Sequence, residues 1–546
     1  MCIRDRYLTT TFTCFIFSLL TYAQNTDFTK LDSLFTILEE NNRFFGSVAV
    51  SQGNEIIYTK AIGFADLDAK VANDKDTKFR IGSISKTFTA TLLMKAIELG
   101  KVNLDDTIDT YFPGIINADQ ITVRHLLNHR SGIANFTDRN YMNWHTESIT
   151  QAALLDTIIT KGIDFKPDED FTYSNSNYVL LTFILEKIFD EPYEQILDEH
   201  IVKALGLANT KYGSAINVSE NEAKSYHMKS DWKEHSQDDM SIPLGAGGIV
   251  STPSDLCLFI KALFNGKLIS SASLDQMKPV GDAWYGFALY GTPFHNNKGW
   301  GHGGNIDAFA SNLIYFEESD ISIALSCNGS NYGSHDVEIA ILSELFGKAY
   351  DLPSFDFVEL DSEELDQYLG TYVTDELPMD MIVTKEENTL YLEATGQSAS
   401  ALTAEGNHKF SILKYGVKMT FVPEQNKLHF EQQGMAFELE RKTAEPSEAF
   451  VSEQSNPDTP AASSDLDQFV GTYVTDEIPI DITISQDLNT LYIQVPGQTP
   501  GALKAEGDDK FSIEEYGVKI QFVPGGEVML FEQQGMAFEF VKKADD

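Results

Sequence analysis

The chain has 546 residues, 42% of them hydrophobic and 11% aromatic, a composition of packed globular protein that is too long for one core. It sets 82 acidic against 40 basic residues, a formal charge of −42 at pH 7. That balance excludes nucleic acid and anionic membrane as partners, because both need clustered Lys and Arg, and it reads as a solvated acidic surface.

Residues 1–23 read as an export signal. Arg4 and Arg6 precede an apolar run over 12–20, and Thr21-Tyr22-Ala23 offers small residues just before a cleavage point at Gln24. The run is too short for a membrane span. The mature protein is therefore expected to be secreted or periplasmic, with no integral membrane segment left after cleavage. Two cysteines remain after the signal, Cys257 and Cys327, both in apolar surroundings. Buried free thiols are expected, with a single disulfide as the alternative.

A large domain follows over 24–353, and its pattern is α+β. A helical period (Leu31, Leu34, Phe35, Leu38) leads into two strand-like runs, Gly46-Ser47-Val48-Ala49-Val50 and Ile56-Ile57-Tyr58, parted by Gly53-Asn54 as in a hairpin. The stretch 88–99 has one apolar face and stops at Gly100. Thr252-Pro253-Ser254-Asp255 has the N-cap, first-turn proline and early acid of a helix start. A strand over 321–326 and a helix over 337–346 close the domain. One antiparallel sheet with helices packed on it accounts for this order.

Beyond residue 360 the chain repeats itself. Leu365-Asp366-Gln367 recurs as Leu466-Asp467-Gln468, and the offset of 101 holds without a gap through Gly370/Gly471, Tyr391/Tyr492, Tyr415/Tyr516 and Gly434/Gly535. Each copy, over 360–442 and 466–546, is a series of short alternating runs broken by turn residues, the pattern of a small all-β barrel. The Glu, Ser, Pro and Ala-rich stretch 443–465 reads as a flexible linker.

Three short motifs carry chemistry: Ser83-Ile84-Ser85-Lys86, Tyr173-Ser174-Asn175 and His302-Gly303-Gly304. A Ser-x-x-Lys step at a helix start sets both side chains on one face one turn apart, so the amine can take the hydroxyl proton. The same spacing recurs at Ser230/Lys233 and Ser411/Lys414, but only Ser83 stands where a Gly82 turn enters a long apolar helix. Tyr-x-Asn also recurs at Tyr141-Met142-Asn143. The second copy is favoured because Asn177-Tyr178-Val179-Leu180-Leu181 launches a buried helix beneath it. His125 and His129 have helical spacing but no acidic third ligand, so no metal site is read, and no phosphate loop or dinucleotide fingerprint points to a cofactor.

With these motifs, and with His125-Leu126-Leu127-Asn128-His129-Arg130-Ser131-Gly132-Ile133 and Gly247-Gly248-Ile249-Val250-Ser251-Thr252, the chain resembles the penicillin-recognising serine hydrolases. The branch is that of class C β-lactamases, D-alanyl-D-alanine carboxypeptidases, D-aminopeptidase and related esterases, and the tandem modules are similar to the β-barrel appendages of D-aminopeptidase-like members. The resemblance implies that Ser83 is the nucleophile of an acyl-enzyme, with Lys86 and Tyr173 moving its proton. It implies further that Asn175 binds Lys86 and the substrate, that the Ser83 and Asn305 N–H groups hold the oxyanion, and that His302, Gly303 and Gly304 line the substrate strand. Burial and neighbouring positive potential should depress the Lys86 pKa. His302 stands where β-lactamases carry lysine, so carboxylate recognition should be weaker and β-lactamase action poor. An exported hydrolase of esters, amides or D-amino-acid peptides is expected, taking a small-molecule or peptide substrate. Its tail modules are expected to shape or cover the active-site mouth or to anchor the enzyme. The alternative is a ligand-binding or regulatory protein on the same fold without turnover.

Overall fold

The computed structural model describes residues 26–442 and 466–543, apart from breaks of which the longer lie at 138–140, 396–398, 476–481, 495–500, 514–517 and 524–527. The export signal and the linker expected from sequence lie outside the described residues.

Five helices and one sheet position the site: α1 (Thr29–Glu40), β1 (Phe44–Gln52), β2 (Glu55–Ile62), α2 (Ser85–Glu98), α3 (Asn175–Phe189), α4 (Pro253–Phe264), β3 (Tyr290–Gly291), β4 (Gly299–Ile306), β5 (Phe309–Phe316), β6 (Ile321–Ser330) and α5 (Ser334–Leu345). The sheet runs β3-β4-β5-β6-β1-β2, every neighbour antiparallel. Strand alternation divides its side chains between two cores. Ala49, Leu313, Tyr315 and Ala324 face α2, α3 and α4, while Val48, Val50, Ile314, Phe316, Ile323 and Leu325 face α1 and α5. Burial on both sides explains why β1 and β6 are apolar runs rather than alternating ones. The result is a helix–sheet–helix sandwich, the α+β arrangement expected.

Helix α2 is surrounded on all sides, so its polar residues need internal partners. Thr91 donates back to the Thr87 carbonyl at 2.7 Å, Thr87 to Ala288 at 3.0 Å and Thr89 to Gly245 at 2.8 Å. Phe88 stacks on Phe259 with ring centres 3.6 Å apart, pinning α2 to α4. Helix α4 begins as its sequence suggests: Thr252 Oγ1 accepts from Asp255 N at 3.3 Å, and Pro253 fills the first turn. Cys257 and Cys327 are buried free thiols, and burial pushes them up to about 12 and about 11.

The C-terminal region is β throughout the described residues. Its first nine-stranded sheet ends in Ser400–Ala401 on one edge and Thr403–Gly406 on the other, with Leu402 alone between them. A sheet whose edges are one residue apart must curl on itself, and this one forms a nearly closed barrel around Tyr372, Phe410, Phe421 and Leu428. A second nine-stranded sheet, from Gly471 onward, repeats the strand order. Tyr372 donates to the Tyr368 carbonyl at 2.9 Å, and Tyr473 to Phe469 at 3.0 Å, the same bond displaced by the repeat offset.

The barrel is seated against α1 and α5. A cleft of about 210 Å³ between them is lined by Leu34, Asp336, Ile339 and Tyr350 on one side and Gly416, Lys418 and Met435 on the other. These helices cover the sheet face opposite α2. The first module therefore does not shape the mouth of a site on α2.

Candidate active site

Ser83 lies in a single turn, Gly82–Ile84, that leads directly into α2. Gly82 has φ +51, and a Cβ there would stand 2.7 Å from Asn305 N. A Cβ on Gly304 would overlap the Ile81 carbonyl oxygen and stand 2.9 Å from Ser83 N. The two glycines thus let β4 and the turn lie back to back, which gathers the Ser83 and Asn305 peptide groups at one place. A two-donor oxyanion hole requires two N–H groups brought together in one place.

Lys86, one turn on, is fully buried, with Nζ 3.0 Å from Ser83 Oγ, 2.7 Å from Asn175 Oδ1 and 2.7 Å from the Ala246 carbonyl. No carboxylate is among these partners, and burial drives its pKa well below that of a free lysine. Asn175 Oδ1 and Ala246 O can only accept. A neutral amine spends its two N–H groups on them and keeps its lone pair for the Ser83 hydroxyl proton. Of the two causes expected from sequence, burial alone accounts for the shift. The Ala246 carbonyl arrives on the short helix Leu244–Gly247, which lies close against α2 and α3: a Cβ on Gly245 would stand 2.5 Å from both Thr89 Oγ1 and Thr182 Oγ1.

Tyr173 and Asn175 stand at the start of α3. Burial raises the Tyr173 phenol above its ordinary pKa, and a hydrogen bond with the Ser83 side chain offsets part of that rise. Lys86 Nζ is 4.9 Å from the Tyr173 ring centre. Asn175 donates Nδ2 to Thr137 at 2.8 Å, leaving its oxygen for Lys86.

His302 is buried on β4 and keeps its charge off the site. Nδ1 faces the Gly303 carbonyl at 2.5 Å, so it carries the proton, and Nε2 accepts from the Tyr285 hydroxyl at 3.0 Å. Burial first, and Lys86 next, push its pKa down to about 3. It is neutral across all ordinary pH, a wider range than its residue type alone suggests. Gly303 N donates to the Tyr290 hydroxyl at 2.6 Å.

A cavity of about 410 Å³ opens on Ser83, Asn175 and Asn305, and the loops after α2 and before Pro243 supply much of its wall: Phe136, Thr137, Tyr141, Met142, His235 and Asp238. Asp307 completes it. Apart from Tyr141 and Met142 of the disfavoured Tyr-x-Asn, these residues carry no sequence motif. Asp238 faces His145 Nδ1 at 2.5 Å and accepts from the Tyr141 hydroxyl, while Asp307 pairs with the buried Arg80 at 2.9 Å and accepts from Asp238 N at 2.7 Å. Burial raises Asp307 despite Arg80. Among the described residues that line the cavity none is Lys or Arg.

The set-aside motifs fall elsewhere, with one exception. Ser411 sits in a barrel strand. Ser230 lies outside the described residues. Tyr141, of the disfavoured Tyr-x-Asn, lines the cavity wall. His125 completes a capping box with Thr122 on the helix Val123–Leu127, whereas His129 lies past that helix with φ +58, so the pair shares no helical face. Among the described residues no group of acids, His and Cys forms a metal cluster.

A family model described as beta-lactamase matches residues 32–350. Penicillin-binding protein 4* of Bacillus subtilis is 26% identical over 427 residues, covering 72% of this chain and 93% of that protein. Teichoic acid D-alanine hydrolase of Staphylococcus aureus is 26% identical over 300 residues, covering 54% and 72%. The crystal structure of D-amino acid amidase from Ochrobactrum anthropi SV3 with D-phenylalanine superposes with a TM-score of 0.51 at 27% identity, covering 58% of this chain and 99% of that one.

Proposed function

Because the chain belongs to the β-lactamase family of serine hydrolases, we propose that it is an exported enzyme that opens D-aminoacyl ester or amide bonds through an acyl-enzyme on Ser83. The observation that carries this reading is the uncharged-amine geometry of Lys86, 3.0 Å from Ser83 Oγ with no carboxylate partner. Lys86 takes the hydroxyl proton as Oγ attacks the carbonyl carbon, and the oxygen of the tetrahedral intermediate gathers negative charge between the N–H groups of Ser83 and Asn305. Tyr173 passes a proton to the leaving alcohol or amine, and water then cleaves the acyl-enzyme by the reverse route.

The choice of D-aminoacyl substrates is supported by the D-alanine hydrolase and D-amino acid amidase relatives and by charge. The cavity wall offers Asp238 and no Lys or Arg among the described lining residues, and the third motif offers a neutral histidine. Such a pocket favours a free ammonium over the carboxylate that β-lactams and stem peptides carry. We read the tail as two copies of one barrel module, 360–442 and 466–546, joined by a tether over 443–465. The leader over 1–23 and a secreted or periplasmic location belong to the same reading.

Parallel assays on D-alanine p-nitroanilide, a p-nitrophenyl ester and nitrocefin, with fluorophosphonate labelling, test it. Turnover of the first two, slow nitrocefin hydrolysis and label on Ser83 that vanishes in Ser83→Ala are expected. Folded protein showing neither hydrolysis nor label rejects the enzyme and leaves the binding-protein alternative.

A further inference from the structure

His129 is a buried polar residue, its ring centre 4.3 Å from that of Tyr173, that the mechanism above does not use. Its backbone is in the left-handed region at φ +58, which costs a non-glycine residue energy that surrounding structure must offset. Its hydrogen bonds converge on one neighbour. The His129 carbonyl accepts from Thr172 N at 3.2 Å, and its Nδ1 accepts from Ser174 N at 3.2 Å. The N–H groups of the residues before and after Tyr173 are thus held by this one residue. A third bond, from Asn177 Nδ2 to Nδ1 at 3.1 Å, ties the clamp to α3.

Because Nδ1 only accepts in these bonds, the ring proton sits on Nε2 and the imidazole is neutral. Nε2 is fully buried without a hydrogen-bond partner, and the imidazole lies in a cage of rings whose centres are 4.3 Å (Tyr173), 5.2 Å (Tyr178) and 5.0 Å (Tyr285) from its own. A buried donor left unpaired is costly, and together with the strained backbone it marks a residue kept for more than packing. Burial, then Lys86 and His302, hold its pKa far below the ordinary value, so it adds no charge beside Lys86.

We propose that His129 is a positioning residue for Tyr173: it grips the backbone before and after the tyrosine and packs against its ring, holding the phenol on the Ser83 hydroxyl. This rests on the reading of Tyr173 as a proton carrier. Loss of the clamp leaves Ser83 and Lys86 in place and lets the phenol wander. The defect therefore falls on kcat rather than KM.

A double-mutant cycle on the full chain separates this role from plain structural support. With D-alanine p-nitroanilide or the p-nitrophenyl ester, whichever turns over faster, His129→Ala is expected to lower kcat about 100-fold with KM within about threefold. His129→Asn tolerates positive φ and supplies an acceptor oxygen, so it recovers part of that loss. In a Tyr173→Phe background the same His129 changes are expected to cost less than about threefold. Equal fold losses in both backgrounds, or wild-type kcat in His129→Ala, overturn the inference. If His129→Ala does not fold, the His129→Asn cycle decides by the same criterion. Full kcat in Tyr173→Phe alone overturns the functional reading of Tyr173, and this inference with it. Additivity against an impaired Tyr173→Phe overturns this inference only.

Discussion

Replacing Lys86 by methionine tests the feature on which the chemistry rests. The wild-type amine is fully buried and its pKa lies well below the unfolded value of about 10.4. Between those two pKa values the unfolded chain binds a proton that the folded chain lacks, so folding stability rises with pH. The contribution is fully present above about pH 10.4 and is lost as pH falls toward the folded pKa. Within that window the slope approaches about 1.4 kcal/mol per pH unit for one buried group. Lys86→Met lacks the group, so the stability of wild type minus variant should climb by up to that amount per unit as pH rises from the folded pKa toward about 10.4. Denaturant unfolding followed by tryptophan fluorescence reads it cleanly, because all four tryptophans (Trp144, Trp232, Trp284 and Trp300) lie before the repeats. At the acid end the methionine variant should equal or exceed wild type, since a buried amine that must charge there is a liability. Activity should fall by about 10²- to 10⁴-fold at every pH. A flat stability difference across this range would mean that Lys86 is charged in the folded enzyme and cannot act as the base described.

Gly304→Ala puts a methyl group onto the Ile81 carbonyl, so β4 must move off the Ser83 turn; kcat should drop about 10²- to 10³-fold with a stability loss of about 1–3 kcal/mol, measured by steady-state kinetics and denaturant melts. Arg80→Met leaves Asp307 buried without its cation and should cost about 3–5 kcal/mol, whereas Arg80→Met with Asp307→Asn should cost less, as parallel melts would show. Gly416→Val acts at φ +62, where an added Cβ meets Asp336 Oδ2 at 2.7 Å; it should unseat the first barrel and expose the 346–360 join to limited proteolysis with the tryptophan signal unchanged.

The meeting of Ser83, Lys86 and Asn175 was legible because each is tied to local geometry. Ser83 and Lys86 are one helical turn apart, Tyr173 and Asn175 open a helix, and glycines mark the strand that must approach them. The sheet and its helices followed from apolar periodicity, and the repeat from its offset. What escaped notice is held by contacts distant in sequence. Asp238 gains its place from Arg80, Tyr141 and His145, and no spacing announces that meeting. The sequence shows His129 only as half of a helically spaced histidine pair, because its left-handed backbone and its bonds around Tyr173 are invisible in a string of residues. Ala246 was missed because its contribution is a carbonyl, which every residue has.

Helices α1 and α5 pack in the same apolar cluster beneath the first barrel, so the hydrolase unit starts and finishes on one side of its sheet, while the cavity opens from the other. A molecule gripped through its first barrel would therefore point its cleft away from the grip, free of crowding from that barrel.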